Sequence, residues 1–307
     1  MRRPGTRIAP ALASGAKDKN WMRMKSRSIL YGWPLSDEVN ELMIDPLPPR
    51  SPHRGEVAIA AVVFDTFGTV CDFYHPMKRE FEALARRKNV ACDAGRMAID
   101  WRTAYVISTF TQAVQESEFI PLRDINLRNL EQLLARSFPA EVTEAEREEL
   151  NGIWGRLDPW HDTVGGLYAM REFAIIAPLS NGNFSDMVQL ARHARLPWDV
   201  ILGSSLAGCY KPHPDTYLKS VAALNLRPEQ VCMVAAHQQD LAYAAGHGMQ
   251  TAFVRRPDEF GGPIKPANPE PGVSYMDAAE IHPEGEWTFI ADDFLDLARQ
   301  LGRHTGG

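Results

Sequence analysis

The apolar positions of this chain fall into two patterns. The first is continuous. Segments 57–64, 173–179, 231–236 and 251–254 are apolar runs of strand length, rich in β-branched residues. Such runs suit strands covered on both faces, as in a parallel sheet. Each is followed by polar or turn-forming residues: Asp65 to Thr69, Ser180 to Asn183, His237 to Asp240, and Arg255 to Pro257. The second pattern recurs every three or four residues, as expected of helices with one buried face. It covers 185–193 after the second run and 214–224 before the third. The alternation predicts an α/β fold with a doubly wound, mostly parallel, Rossmann-like core sheet. Ligands of such sheets bind at the carboxyl ends of the strands. Asp65, Ser180, Asn181 and Asp240 fall at those ends and become the first candidate site residues.

About 100 residues separate the first two runs, too many for one crossover helix. Their apolar residues recur at helical spacing: Phe81, Leu84 and Ala85; Met97, Trp101 and Tyr105; Leu127, Leu130, Leu133 and Leu134; Leu150, Ile153, Trp154 and Leu157. We read 77–158 as a helical cap domain inserted in the core, with 56–76 and 159–307 forming the α/β core. Residues 1–55 read as a basic, Pro-rich tail and linker. The first 28 residues carry eight Lys/Arg against one acid, and several prolines between Asp45 and Arg54 oppose helix and ladder. Segment 8–16 is apolar-leaning but short and broken by Pro10, so it does not read as a secretory signal. A flexible tail, or a start at Met22 or Met24, fits better. The Pro- and Gly-rich stretch 261–286 reads as a loop.

Composition narrows the function classes. The 307 residues are 45% hydrophobic and 23% charged, enough apolar material for a sizeable core. No run approaches the ~20 apolar residues of a membrane span. A net charge of −6 argues against nucleic-acid binding by global electrostatics. Cys71, Cys92, Cys209 and Cys232 are isolated, as in a reducing cytoplasmic setting. No GxGxxG or GxxxxGK[ST] loop is present, so no organic cofactor is expected.

Five segments in order now carry a resemblance. They are Phe64-Asp65-Thr66-Phe67-Gly68-Thr69, Trp101-Arg102, Leu179-Ser180-Asn181-Gly182, the stretch from Tyr210-Lys211-Pro212 to Tyr217, and an apolar strand leading to Asp240. Together they make the chain resemble the haloacid dehalogenase superfamily, and within it the type II (S)-2-haloacid dehalogenases, over roughly 57–260. The resemblance implies hydrolysis of short 2-haloalkanoic acids through a covalent aspartyl ester, with inversion. It implies a homodimer.

Each residue also has its own chemistry. A carboxylate at Asp65, opening a loop after a buried strand, is a candidate nucleophile; its plain alternative is a turn cap. Thr69 can bond the loop or a substrate carboxylate. Lys211, held close, would keep Asp65 ionised. The resemblance places Tyr217 beside that lysine and gives Arg102 the departing halide, which a guanidinium suits. Ser180 suits a substrate carboxylate, and the Asn181 amide can donate to a halide. Asp240 would hold the hydrolytic water, or else cap the following helix. His237 stands where the family often has asparagine, Ala235 where it has serine and Gln239 where it has an aromatic. His237 can orient Asp65 or water, or satisfy a buried network.

Phe67 decides between relatives. Phosphatases of the superfamily carry a second Asp there, which protonates a leaving alkoxide. A halide leaves as a stable anion and needs no such acid. Few carboxylates remain for a cation, so no metal is expected. The alternatives are an Mg²⁺-dependent phosphatase and a non-catalytic binder on the same fold.

Overall fold

The structure is a computed structural model and describes residues 57–115, 118–262, 283 and 285–305. The tail 1–55 and most of the 261–286 segment lie outside the described residues.

Six parallel strands form the core sheet: β1 (Ala61–Phe64), β4 (Ile175–Ser180), β5 (Leu202–Gly203), β6 (Val231–Ala235), β7 (Gln250–Val254) and β8 (Phe289–Ala291), in the order β5-β4-β1-β6-β7-β8. The four apolar runs supply β1, β4, β6 and β7. Their ends move by up to four residues, and β5 and β8 are additional. Both additions are too short to show as apolar runs.

Residues along β1 alternate between two cores, as the period of two requires. Val62 and Phe64 join a cluster that holds Leu167, Phe294, Leu297 and Leu301. Ala61 and Val63 join the opposite one, with Tyr217, Val221 and Leu241. β1 lies between β4 and β6, with Ala61 level with both Ile175 and Val231. After β1 the chain builds outward through β4 and β5, then returns to the other side for β6 to β8. The strand order therefore reverses beside β1, and a crevice opens at its carboxyl end.

The helical region between β1 and β4 holds α1 (Tyr74–Lys88), α2 (Ala94–Gln115), α3 (Leu122–Ser137) and α4 (Glu144–Asn151). Its start and end are stitched together by the short antiparallel pair β2 (Cys71–Asp72) and β3 (Asp158–Pro159). Thr143 and Glu146 form a reciprocal capping box that starts α4. Trp101 packs edge-to-face against Trp154 and Phe81 in the same core as Phe64. Trp101 also donates its indole N–H to Asn126 O at 3.0 Å, so it is a packing residue.

The core helices are α5 (Thr163–Arg171), α6 (Phe184–His193), α7 (Ser204–Ala207), α8 (Pro214–Ala223), α9 (Gln238–Gly246) and α10 (Phe294–Thr305). One expectation changes here. Asp240 lies inside the first turn of α9, and the N-cap position is held by His237. None of the described helices is long and apolar enough to cross a membrane. All four cysteines are free.

Candidate active site

The loop after β1 carries Asp65 into the crevice, where it is 7% exposed. Three side chains bond its carboxylate, one from its own loop and two from distant segments. Lys211 Nζ donates to Oδ1 at 2.9 Å. Thr69 Oγ1 donates to Oδ2 at 2.9 Å and itself accepts the Ala236 N–H at 3.0 Å, which fixes its direction. His237 Nδ1 lies 3.1 Å from the same Oδ2. Burial opposes ionisation of Asp65, but Lys211 and His237 overcome it and hold the carboxyl far below the usual carboxylate range.

Lys211 is shared. Its ammonium also donates to Asp240 Oδ2, and Tyr217 OH donates to Asp240 Oδ1 at 2.6 Å. Burial alone would lower this lysine; Asp240 and Asp65 together raise it above its ordinary value. Asp240 is shifted upward by its own burial, only partly offset by Lys211. Tyr217 is fully buried and raised well above its ordinary value, first by burial and then by Asp240. The ammonium thus lies between two carboxylates and keeps both in place.

Asn181 is oriented from the other side. Its Oδ1 accepts the Lys211 N–H at 2.9 Å and the Ser204 hydroxyl at 2.7 Å. With both acceptor sites filled, its NH₂ is the group left to face the cavity. Ser180 is placed differently. Its hydroxyl accepts the Gly182 N–H at 3.1 Å, so it braces the turn after β4.

Arg102 comes from α2 in the cap. It is 5% exposed and spends one bond, Nη2 to Phe67 O at 3.3 Å. Its Nε and Nη1 are buried with no hydrogen-bond partner among the described residues. The guanidinium stacks 4.8 Å from the Tyr105 ring centroid and 5.4 Å from that of Phe73. A buried cation with unused donors is costly unless an anion visits it.

These side chains share one cavity of about 90 Å³, far smaller than the ~300–1,000 Å³ of drug-sized ligand sites. Asp65, Arg102, Asn181, Lys211, Tyr217, His237 and Asp240 line it, under an α2 roof of Tyr105, Val106, Thr109 and Phe110. Thr69 and Ser180 stand behind this lining. Phe67 points away into the cap, with ring centroids 5.7 Å from Tyr105 and 5.0 Å from Trp154.

Three contributors escaped the sequence reading. Tyr105 lies one turn beyond Arg102, and its place on the same helix face was the available signal. Burial pushes its hydroxyl up to about 12, so it stays a donor. Glu259, after β7, bonds His237. Arg256 grips the buried Asp162 with two bonds of 3.0 and 2.9 Å and donates to Thr69 O at 2.8 Å, supporting the nucleophile loop from beneath.

A family described as haloacid dehalogenase-like hydrolases matches residues 59–248. The fold resembles the crystal structure of the defluorinating L-2-haloacid dehalogenase Rha0230, at 36% identity and a TM-score of 0.72, covering 84% of this chain and all of that one. It also resembles the L-2-haloacid dehalogenase PA0810, at 34% identity and a TM-score of 0.71, covering 80% of this chain and all of that one. In sequence it is 27% identical to (S)-2-haloacid dehalogenase 4A of Burkholderia cepacia over 65% of this chain and 84% of the relative.

Proposed function

We propose, from the premise that this chain belongs to the haloacid dehalogenase-like hydrolases, that it hydrolyses short (S)-2-haloalkanoic acids to 2-hydroxy acids. The observation that carries the reading is a pairing across one small cavity. A buried, ionised carboxylate, Asp65, shares it with a buried guanidinium, Arg102, that has donors to spare.

In the first stage Asp65 attacks the halogen-bearing carbon from behind. The carbon–halogen bond breaks and its electron pair leaves with the halide. Arg102 and the Asn181 NH₂ receive that anion, with the Tyr105 hydroxyl alongside. Lys211 keeps Asp65 charged while the cap roof excludes bulk water. In the second stage Asp240, held by Lys211 and Tyr217, takes a proton from water. The water attacks the ester carbonyl carbon and the hydroxy acid departs. Only the first stage touches the substrate carbon, so the product is inverted there. Ser180 braces the Ser180-Asn181-Gly182 turn, whose backbone N–H of Asn181 suits the substrate carboxylate.

The position of Phe67 among cap rings supports a halide over a phosphate ester. No carboxylic acid stands there to protonate an alkoxide. Nor is a metal required, because Lys211 supplies the positive charge between Asp65 and Asp240.

The test is halide release from (S)-2-chloropropionate, chloroacetate and fluoroacetate with EDTA present, beside an Asp65→Asn variant. Fluoroacetate is included because one relative is a defluorinating enzyme. Release by the wild type, with a loss of at least ~10³-fold in the variant, supports the reading. Phosphate release from a generic ester that requires Mg²⁺, without halide release, would replace it with the phosphatase.

A further inference from the structure

Glu259 is a carboxylate that the reaction above leaves without a task. It follows β7, is 3% exposed, and places Oε1 2.9 Å from His237 Nε2. Its place under the nucleophile loop depends on Gly68. That residue has φ +94°, and a Cβ there would meet Glu259 Oε1 at 2.0 Å and Cδ at 2.6 Å. The chain keeps the nucleophile loop bare at the point where Glu259 enters.

The two oxygens of Asp65 are unequal. Oδ2 faces Thr69 and His237, whereas Oδ1 accepts, among the described residues, from Lys211 alone. The oxygen with a lone pair to spare is the one that bonds to carbon, so Oδ1 becomes the bridging ester oxygen. Oδ2 then becomes the ester carbonyl oxygen, already provided with two hydrogen-bonding groups.

We propose that His237 and Glu259 form a dyad that binds the oxyanion on Asp65 Oδ2 during hydrolysis of the aspartyl ester, with Thr69 as the second donor. His237 is the catalytic member and Glu259 its positioning residue. The assignment rests on the dehalogenase reading above.

Both ring nitrogens of His237 face carboxylate oxygens, which only accept. A neutral imidazole satisfies one of them; an imidazolium satisfies both. Burial favours the neutral ring, but Glu259 and Asp65 prevail and raise His237 well above its ordinary value. Asp65 reaches it from the β1 loop and Glu259 from the β7 loop, while Lys211, Asp240, Tyr105 and Tyr217 line the same cavity. Ester formation removes the charge of Asp65. Glu259 is then the anion still bonded to the ring, so it keeps the donor charged for the second stage.

Water oxygen adds to Asp65 Cγ, its proton passes to Asp240, and the carbonyl electron pair moves onto Oδ2. Collapse restores the Cγ–Oδ2 double bond and breaks Cγ–Oδ1. The alkoxide leaves with the proton from Asp240 as the 2-hydroxy acid. Asp65 keeps the hydroxyl from water and releases its proton to solvent. Charged donors at such an oxygen are among the larger contributions to acyl transfer.

The experiment compares wild type, Glu259→Gln, Glu259→Asp and His237→Leu, using chloroacetate, rapid-quench halide assay and intact-protein mass. The expected result for Glu259→Gln is a first-turnover halide burst within a few fold of wild type. Steady turnover then slows by ~10²-fold and the ester adduct accumulates on Asp65. Glu259→Asp restores part of the rate. The alkaline limb of the steady rate moves to lower pH in Glu259→Gln. Burst and steady rate falling together, with no adduct, would overturn the dyad's role. If Glu259→Gln does not fold, the ratio of burst to steady rate in His237→Leu carries the comparison. ¹⁵N-histidine NMR separates the two hypotheses. A wild type that releases no halide sinks the dehalogenase reading, and a neutral His237 ring at pH 7 sinks the dyad whatever the turnover.

Discussion

Lys211 Nζ lies 2.9 Å from Asp65 Oδ1, across 146 residues of chain. The same ammonium bonds Asp240, so one buried cation is shared by two carboxylates. Removing it should be costly in two ways. Lys211→Met should abolish halide release and lower stability at pH 7 by about 3–5 kcal/mol, because two buried carboxylates lose their partner. The deficit should shrink in acid, where protonating one carboxylate relieves the repulsion. Melting curves of both proteins from pH 4 to 8 check this. A gap that does not change with pH would show that the lysine does not compensate these charges.

Arg102 predicts the opposite balance. Its unpaired Nε and Nη1 are a standing cost that the reaction exploits. Arg102→Met should leave the melting temperature unchanged or higher, while halide release falls by ~10²–10³-fold. Bromide should stabilise the wild type and not the variant, since only the wild type offers it a site. Equal stabilisation of both by bromide would remove Arg102 from the halide site.

Phe67→Asp tests whether the chain is one residue away from a phosphatase. The new carboxylate would replace a ring packed on Tyr105 and Trp154. We expect a loss of about 3–5 kcal/mol, as for deletion of a buried aromatic, and no Mg²⁺-dependent phosphate release. Phosphatase activity in a stable variant would mean that the position alone selects the chemistry.

Two shifts set the pH window of stability. Asp65 is depressed in the folded state. Its contribution is present above its unfolded value near 4 and is lost as pH falls toward the folded value. His237 is raised. Its contribution is complete below its unfolded value near 6.5 and is lost as pH rises through the folded value. Stability should therefore be greatest between those two unfolded values and decline on both sides. His237→Asn should flatten the alkaline side and, because His237 also helps to depress Asp65, weaken the acid side as well, as read by denaturant titrations at several pH values.

Much of this molecule could be read from local pattern. A strand buried on both faces must be continuously apolar, so β1, β4, β6 and β7 announce themselves, and the polar turns after β1, β4 and β6 mark the crevice. Asp65 and Asp240 were legible because each follows such an element, whereas Lys211, in the loop before α8, was legible only through the resemblance of its Tyr210-Lys211-Pro212 motif. The cap was legible because 100 residues at helical spacing cannot be one crossover. β5 and β8, of two and three residues, carry no periodic signal. Long-range electrostatic partners are also silent in sequence. Nothing local to Glu259 marks it as the partner of His237, since its place depends on a bare Gly68 and a turn after β7. Nor does the Ser180 hydroxyl reveal that it braces a turn instead of lining the cavity. Apolar periodicity is a property of neighbours in the chain, so the sequence alone determined the four longer strands, their carboxyl ends to within a residue and the cap. Which oxygen meets which donor depends on distances between segments far apart in the chain, and only tertiary packing decided that.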